Sequence, residues 1–143
     1  MSYMFFSTQF PTLDLSSFDT SKVTNMSQMF SWSKATTIDV SGFDTSKVTD
    51  MSSMFYLSSA TEIKGLDKFN TSNVTNMAGM FWDSKATTLD LSSFDTSKVT
   101  DMRLMFLGAN ATVGYARTQE DAERFNASSN KPSSLTFTVK NPA

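Results

Sequence analysis

Apolar residues recur along this chain in one repeated phrase. Each copy holds two methionines three residues apart, followed at once by a phenylalanine: Phe5, Phe30, Phe55, Phe81 and Phe106. The steps between these phenylalanines are 25, 25, 26 and 25 residues. Self-similarity at a period of this size predicts a solenoid of stacked coils, because one unit cannot bury its apolar side without neighbours above and below.

The segment 88–106 illustrates one coil. Leu89 and Leu91 flank a polar residue, which predicts a short half-buried strand. After Phe94, the letters DTSK favour a turn closed by hydrogen bonds from side chain to backbone. The last part, Val99 to Phe106, spaces its apolar residues by three, three and one, which predicts a short helix or helical turn with these residues on one face.

Two positions in the coil carry finer predictions. Thr100 precedes the predicted helix and is expected to cap it. Gly65 is an extra residue in the third coil, which accounts for the single 26-residue step and predicts a bulge in that strand.

The residue after the capping threonine alternates between neutral and charged in successive coils: Asn25, Asp50, Asn76 and Asp101. Like charges stacked about 5 Å apart repel one another, so interleaved asparagine would relieve the repulsion. With so few positions, chance alternation is the other explanation.

The pattern as a whole predicts an α/β fold, a solenoid of about 25-residue coils. Short parallel strands are expected on one side and short helical turns on the other. Residues 1–112 should form four to five coils, the first of them truncated, because Met1 aligns with a methionine inside the repeat. We therefore expect the chain to be part of a longer array.

The tail departs from the repeat and is expected to cap the last coil. Residues 113–143 form this predicted C-terminal cap, and the register is expected to end after Phe106. A helix is predicted over 116–126, with Thr118 and Asp121 resembling a capping box. Alternating apolar residues over 135–139 then predict a closing strand.

Composition and charge disfavour several classes of function but do not identify one. With 39% hydrophobic residues the chain can build a real core, and its net charge of -2 is spread evenly. Nucleic acid and membrane insertion are therefore not expected, because both need clustered basic or apolar residues. There is no cysteine and no histidine, which removes thiolate chemistry and the commonest general base and zinc ligand.

Specific phrases in the chain carry a family resemblance. FDTSKVTDMSSMF at 43–55 and the tail ARTQEDAERFNASSNKPSSLTFTV at 116–139 resemble the BspA-type leucine-rich-repeat surface proteins of bacteria. The resemblance covers nearly the whole chain and implies that the solenoid is a right-handed leucine-rich-repeat solenoid. It implies a protein on the bacterial cell surface, in the extracellular space, that acts as an adhesin for host matrix or plasma proteins. It implies no particular binding residues.

The most variable segments follow each methionine and phenylalanine phrase, and they hold the first candidate site. Trp32, Tyr56 and Trp82 lie there on successive coils. Exposed aromatic residues in a row would form a protein-binding ridge, because Trp and Tyr dominate binding hot spots. The alternative is that these side chains fold over the coil ends as additional packing.

The outward positions of the strands hold the second candidate site. Asp14, Asp39, Lys64 and Asp90 should line the face that repeat solenoids commonly offer to ligands. The alternative is an ordinary solvated face.

Other chemistries are disfavoured by the pattern. Asp19, Asp44 and Asp95 recur in loops, but one carboxylate per coil suits a turn better than a calcium site, so no metal is predicted. Two threonine rows that could suit ice binding are better explained as turn and cap residues: Thr20, Thr45, Thr71 and Thr96, and Thr24, Thr49, Thr75 and Thr100. No convergent acid, base or nucleophile interrupts the repeat, so we predict neither an enzyme nor a cofactor.

The predicted function is an extracellular protein-binding module of a bacterial surface adhesin, with its ligand on the repeat surface. The expected partner is a surface or matrix protein of a host or a neighbouring cell. The alternative is a structural stalk or spacer that binds nothing itself.

Overall fold

The computed structural model describes residues 1–140. The elements in chain order are β1 (Thr12–Leu13), β2 (Thr37–Asp39), β3 (Glu62–Lys64), a 3-10 turn (Leu66–Lys68), β4 (Thr88–Leu91), β5 (Val113–Ala116), α1 (Gln119–Asn126) and β6 (Thr136–Val139). The last three residues of the predicted cap, 141–143, lie outside the described residues.

The strands pair in parallel, each with the strand of the next coil. Strands β1, β2 and β3 form one sheet in that order, and Thr12 lies opposite Thr37, which lies opposite Glu62. Strands β4, β5 and β6 form a second sheet in the same way. Pairing partners in the first sheet are 25 residues apart, so the predicted solenoid of parallel strands is confirmed.

Gly65 separates the two sheets. Its backbone has a φ of 95°, in the left-handed region, and it leads into the 3-10 turn instead of continuing the strand. A Cβ at this position would lie 2.4 Å from Cα and N of Ser41 in the preceding coil, so only glycine fits without movement. The predicted bulge is therefore wrong, because the extra glycine forms a turn that ends β3 and does not continue the strand.

The predicted helical segment is wrong in its backbone, although its buried face is right. In the second coil the amides of residues 26, 28, 30 and 32 each donate to a carbonyl of the third coil, with N–O distances of 2.9 Å. Met29, Ser31 and Ser33 instead donate to the carbonyl three residues earlier, which closes tight turns. Because the coils bond to each other in this way, no amides remain for a regular α-helix.

The threonine and Asn/Asp positions also bond between coils. Thr100 does not cap a helix; its N–H and its hydroxyl both donate to the carbonyl of Thr75, at 2.9 and 3.2 Å. The next position forms parallel bridges that link Asn25, Asp50, Asn76 and Asp101. These four residues are therefore direct neighbours in the stack, so like charges at successive positions would repel one another.

The core lies between the strands and the turn segments. In the coil from Ile38 to Phe55 the inward side chains are buried: Ile38, Val40, Phe43, Val48, Met51, Met54 and Phe55. Phenylalanine rings stack along the whole array, and the Phe55 ring lies 5.5 Å from that of Phe30 and 5.6 Å from that of Phe81, nearly parallel to both. The predicted inward role of the methionines and phenylalanines is confirmed from the second coil onward, whereas Met4 of the first coil is 51% exposed.

The array continues further than the sequence pattern. Strand β5 pairs with β4 at the same 25-residue offset, so the register does not end after Phe106. Helix α1 begins at Gln119, three residues later than predicted, because Thr118 is its N-cap and accepts a hydrogen bond from the N–H of Asp121. Phe125 and Phe137 of the tail then pack on Phe106.

At the opposite end, the first coil leaves part of its apolar surface uncovered. Tyr3, Met4, Phe6 and Phe10 are exposed. Phe5 is half-buried and stacks on Phe30.

Candidate functional site

Three aromatic side chains form a continuous column on the outside of the turn segments. The ring centroids of Trp32 and Tyr56 are 6.0 Å apart and the rings meet edge to face. Those of Tyr56 and Trp82 are 5.0 Å apart and tilted. Trp32 is 44% exposed, and the other two are half-buried. We call these three residues the aromatic column.

The turn backbone fixes the aromatic column in place. Trp32 has a φ of 62°, a conformation that is unusual for a bulky residue. It is held there because its N–H donates to the carbonyl of Tyr56 at 2.9 Å. The N–H of Leu57, in turn, donates to the carbonyl of Trp82 at 2.9 Å. Side chains on such a hydrogen-bonded frame are pre-organised, which lowers the entropy lost when they bind.

A notch of about 500 Å³ opens beside Trp82. Its lining comes from three successive coils and from the tail: Ser52, Ser53, Asn76, Ala78, Gly79, Trp82, Arg103, Leu104 and Ser129. The notch exists because the fourth coil has Ala78 and Gly79 where neighbouring coils have larger residues. A Cβ on Gly79 would already lie 3.4 Å from Cε3 of Trp82 and 3.2 Å from Oγ of Ser53.

Several polar groups around this notch retain hydrogen-bonding capacity. Within residues 1–140, the Ser53 hydroxyl and the Asn76 Nδ2 have no hydrogen-bond partner, since the Asn76 Oδ1 takes the N–H of Ala78 at 2.9 Å. Oγ of Ser129 accepts from the N–H of Leu104 at 3.3 Å and can still donate.

Arg103 is the charged residue of the lining, and Asp101 neutralises it. Their side chains form two hydrogen bonds, Nε to Oδ1 at 3.2 Å and Nη2 to Oδ2 at 2.9 Å. The hydrogen bonds from Arg103 hold the pKa of Asp101 below its ordinary value, so the carboxylate stays ionised at neutral pH. The notch therefore presents polar groups with no net charge.

The strand-face candidates fall into two groups. Asp39 and Lys64 are paired in register on β2 and β3, and Asp14 lies at the end of β1, so these three share one exposed surface. Asp90 lies in the other sheet, where its carboxylate contacts Nζ of Lys140 at 2.6 Å. The structure thus places three of the four predicted residues together.

Hydrogen bonds from neighbouring serines stabilise the charged form of these carboxylates. Those from Ser16 lower the pKa of Asp14, and those from Ser41 lower that of Asp39. Burial raises the pKa of Asp90, but the hydrogen bonds from Lys140 and Ser92 outweigh it and the pKa lies below its ordinary value. The strand face is therefore ionised at neutral pH, with each carboxylate already engaged.

The loop aspartates serve as turn residues. Oδ1 of Asp19 accepts from the N–H and the hydroxyl of Ser21 at 3.0 and 2.6 Å, and Asp44 binds Ser46 in the same way. No group of three or more Asp, Glu, His or Cys residues within 1–140 is placed to hold a metal ion.

Sequence reasoning found the aromatic column but missed the notch beside it. The sequence does contain a signal for the notch. The fourth coil has the residues NMAGM where the third has DMSSM, so Gly79 stands at the position of Ser53. Ser129 carried no such signal, because the tail does not share the repeat.

These features define the chain as a repeat solenoid. Its first 64 residues match a family model described as a Mycoplasma protein of unknown function, DUF285. No curated protein and no solved structure matches the chain. In the described part, no helix combines the length and apolar character needed to cross a membrane.

Proposed function

We propose that this chain is an extracellular protein-binding module of a bacterial surface adhesin, and that the aromatic column contacts the ligand. The finer assignment to the BspA-type leucine-rich-repeat proteins, with their cell-surface location, is part of this proposal. The family-model match over residues 1–64 supports it, because it covers the repeat phrase at 43–55, one of the two phrases that carry the resemblance.

The observation that carries the proposal is the column itself. Trp32 remains 44% exposed although the methionines and phenylalanines of the same turn segments are buried. Aromatic side chains held rigidly at a partly exposed surface are typical of binding hot spots, because little conformational entropy is lost on contact.

The partner in this proposal is a surface or matrix protein of a host or neighbouring cell. The strand face with Asp14, Asp39 and Lys64 is the less favoured contact surface, because its carboxylates already bind neighbouring serines. A rigid stalk would need neither the exposed Trp32 nor the break in the repeat beside Trp82.

Affinity capture from plasma and from solubilised extracellular matrix tests the proposal. We expect the immobilised protein to retain one or a few specific proteins, identified by mass spectrometry. A Trp32→Ala/Trp82→Ala variant that keeps the far-ultraviolet circular dichroism of the parent should lose them. Repeated capture without any specific partner would contradict the adhesin function and favour a stalk.

A further inference from the structure

The notch beside Trp82 departs from the repeat in a way that the solenoid does not need. At the position of Gly79, the other coils carry Tyr3, Gln28, Ser53 and Leu104, all with φ between 53° and 61°. Gly79 has a φ of 62°, so the backbone there already accepts larger residues elsewhere in the array. Glycine therefore leaves space at this position, and the space borders the indole of Trp82.

We propose that this notch binds the ring of a neutral sugar. A pyranose has one face of C–H groups, which carry partial positive charge, and an edge of hydroxyl groups. The face of an indole ring carries the opposite partial charge, so the C–H face of the sugar is expected to stack on Trp82. The hydroxyl edge then meets Ser53, Asn76 and Ser129.

The polar groups of the lining favour a sugar over an apolar peptide side chain. Donors that are buried without a partner cost free energy, and a hydrocarbon side chain would cover Ser53 and Asn76 without bonding to them. Sugar hydroxyls can both donate and accept, which suits a serine hydroxyl and an amide nitrogen together. The indole of Trp82 thus suits the C–H face of the sugar, and the polar groups of the notch suit its hydroxyl groups.

Charge favours a neutral sugar over an acidic one. Arg103 is paired with Asp101 through two hydrogen bonds, so a carboxylate on the sugar would have to compete with a carboxylate already in place. The volume of about 500 Å³ leaves room for one or two sugar rings.

That the sugar belongs to a glycan on a protein ligand rests on the proposed function, because an adhesin would meet sugars there. Binding of the sugar itself does not depend on that function and is tested separately. Four methyl glycosides serve as probes: those of β-galactose, β-glucose, α-mannose and N-acetyl-β-glucosamine. Each is titrated into the ¹⁵N-labelled protein while nuclear magnetic resonance follows the Trp82 indole and the Gly79 amide.

We expect at least one of the four glycosides to shift both signals with a millimolar dissociation constant. Gly79→Leu fills the notch with the residue that the next coil carries, and should weaken binding by about tenfold or more. Gln28→Leu places the same residue at the equivalent position two coils away, outside the notch, and should leave binding intact. Trp82→Leu introduces the residue that the next coil carries at this position, Leu107. It keeps an apolar side chain but removes the aromatic face, so it should also weaken binding.

Absence of shifts with all four glycosides at their solubility limit would overturn the sugar site. So would equal binding by the Gly79→Leu variant. Neither result would affect the adhesin proposal, which depends on protein capture.

A second arm distinguishes a glycan on a protein from a free sugar. Enzymatic removal of glycans from a captured partner should weaken its binding to the parent protein. If Gly79→Leu abolishes capture while deglycosylation has no effect, the notch receives a peptide side chain, and the sugar proposal is wrong.

Discussion

At the scale of single residues, short polar side chains connect one coil to the next. The Thr20 hydroxyl donates to the carbonyl of Asp44 and accepts from its N–H, at 3.1 and 2.8 Å. In the last coil Asp121 takes over this role: its Oδ1 accepts from the hydroxyl and the N–H of Thr96, at 2.6 and 3.2 Å. A carboxylate therefore closes a row of hydrogen bonds that would otherwise end unpaired.

Stability should fall in acid, with a clear contribution from Asp121. Burial raises the pKa of this carboxyl, but the hydrogen bonds from Thr96, Thr118 and Arg117 outweigh it, so the net pKa is lowered. A lowered folded-state pKa stabilises the fold above the ordinary aspartate pKa of about 3.9, and this stabilisation is lost as the pH falls through the folded value. Urea unfolding between about pH 6 and pH 3 should show this loss.

The variants Asp121→Asn and Asp67→Asn separate this effect from general acid unfolding. Asp121→Asn should be less stable at neutral pH and should lose less stability on acidification. Asp67 is exposed and makes no hydrogen bond through its side chain within residues 1–140, so its substitution should leave the profile unchanged. Identical profiles for the parent and Asp121→Asn would refute the role given to Asp121.

At the scale of elements, the extra residue of the third coil determines where the sheet divides. Its position was predictable, because one step of the repeat is longer by one residue and that residue is glycine. The turn that replaces the strand end depends on the close approach of Gly65 to the Ser41 backbone, which only the stacked coils define.

Substitution of two glycines in this region should have clearly different effects on stability. Gly65→Ala should destabilise by about 1 to 3 kcal/mol, because it places a Cβ at positive φ against the Ser41 backbone. Gly42→Ala, with nothing within 4 Å of its Cβ and no positive φ, should be neutral or slightly stabilising. Thermal unfolding measures both, and equal melting temperatures would contradict the assigned contact.

The turn segments show what periodicity cannot decide. Apolar spacings of three, three and one fit a helix and also fit a series of tight turns with the same side chains inward. The backbone hydrogen bonds distinguish the two structures. In this chain the N–H of Phe55 donates to the carbonyl of Met80 in the next coil at 2.9 Å, which a helix would not allow. The buried face could therefore be predicted from the sequence, and the backbone conformation could not.

At the scale of the whole molecule, stacked phenylalanines join all coils into one core. Met54→Ala/Phe55→Ala in the middle coil should cost several kcal/mol, since each large-to-small core change costs about 2 to 5 kcal/mol. Both side chains are fully buried, and Phe55 has a stacked ring on each side. Phe5→Ala, at the half-buried first coil, should cost less. A melting temperature unchanged by the double substitution would show that this face is not core.

The same stacking explains how far the candidate site could be foreseen. Trp32, Tyr56 and Trp82 occupy the variable segments, so their proximity followed from the repeat. The notch beside Trp82 also needs Ser129, which the tail delivers outside the repeat pattern. Asp90 does not lie with the other strand-face residues, because Gly65 divides the sheet and the Asp90 carboxylate pairs with Lys140.

The aromatic column is the surface on which the proposed function depends most. The most direct test measures the affinity of a captured partner for the parent, for Trp32→Ala/Trp82→Ala and for a strand-face variant, Asp14→Asn/Asp39→Asn, by biolayer interferometry. We predict that the aromatic variant binds at least about thirtyfold more weakly, as loss of a hot spot implies, while the strand-face variant binds like the parent. Equal affinity of the aromatic variant and the parent would contradict the binding role of the column.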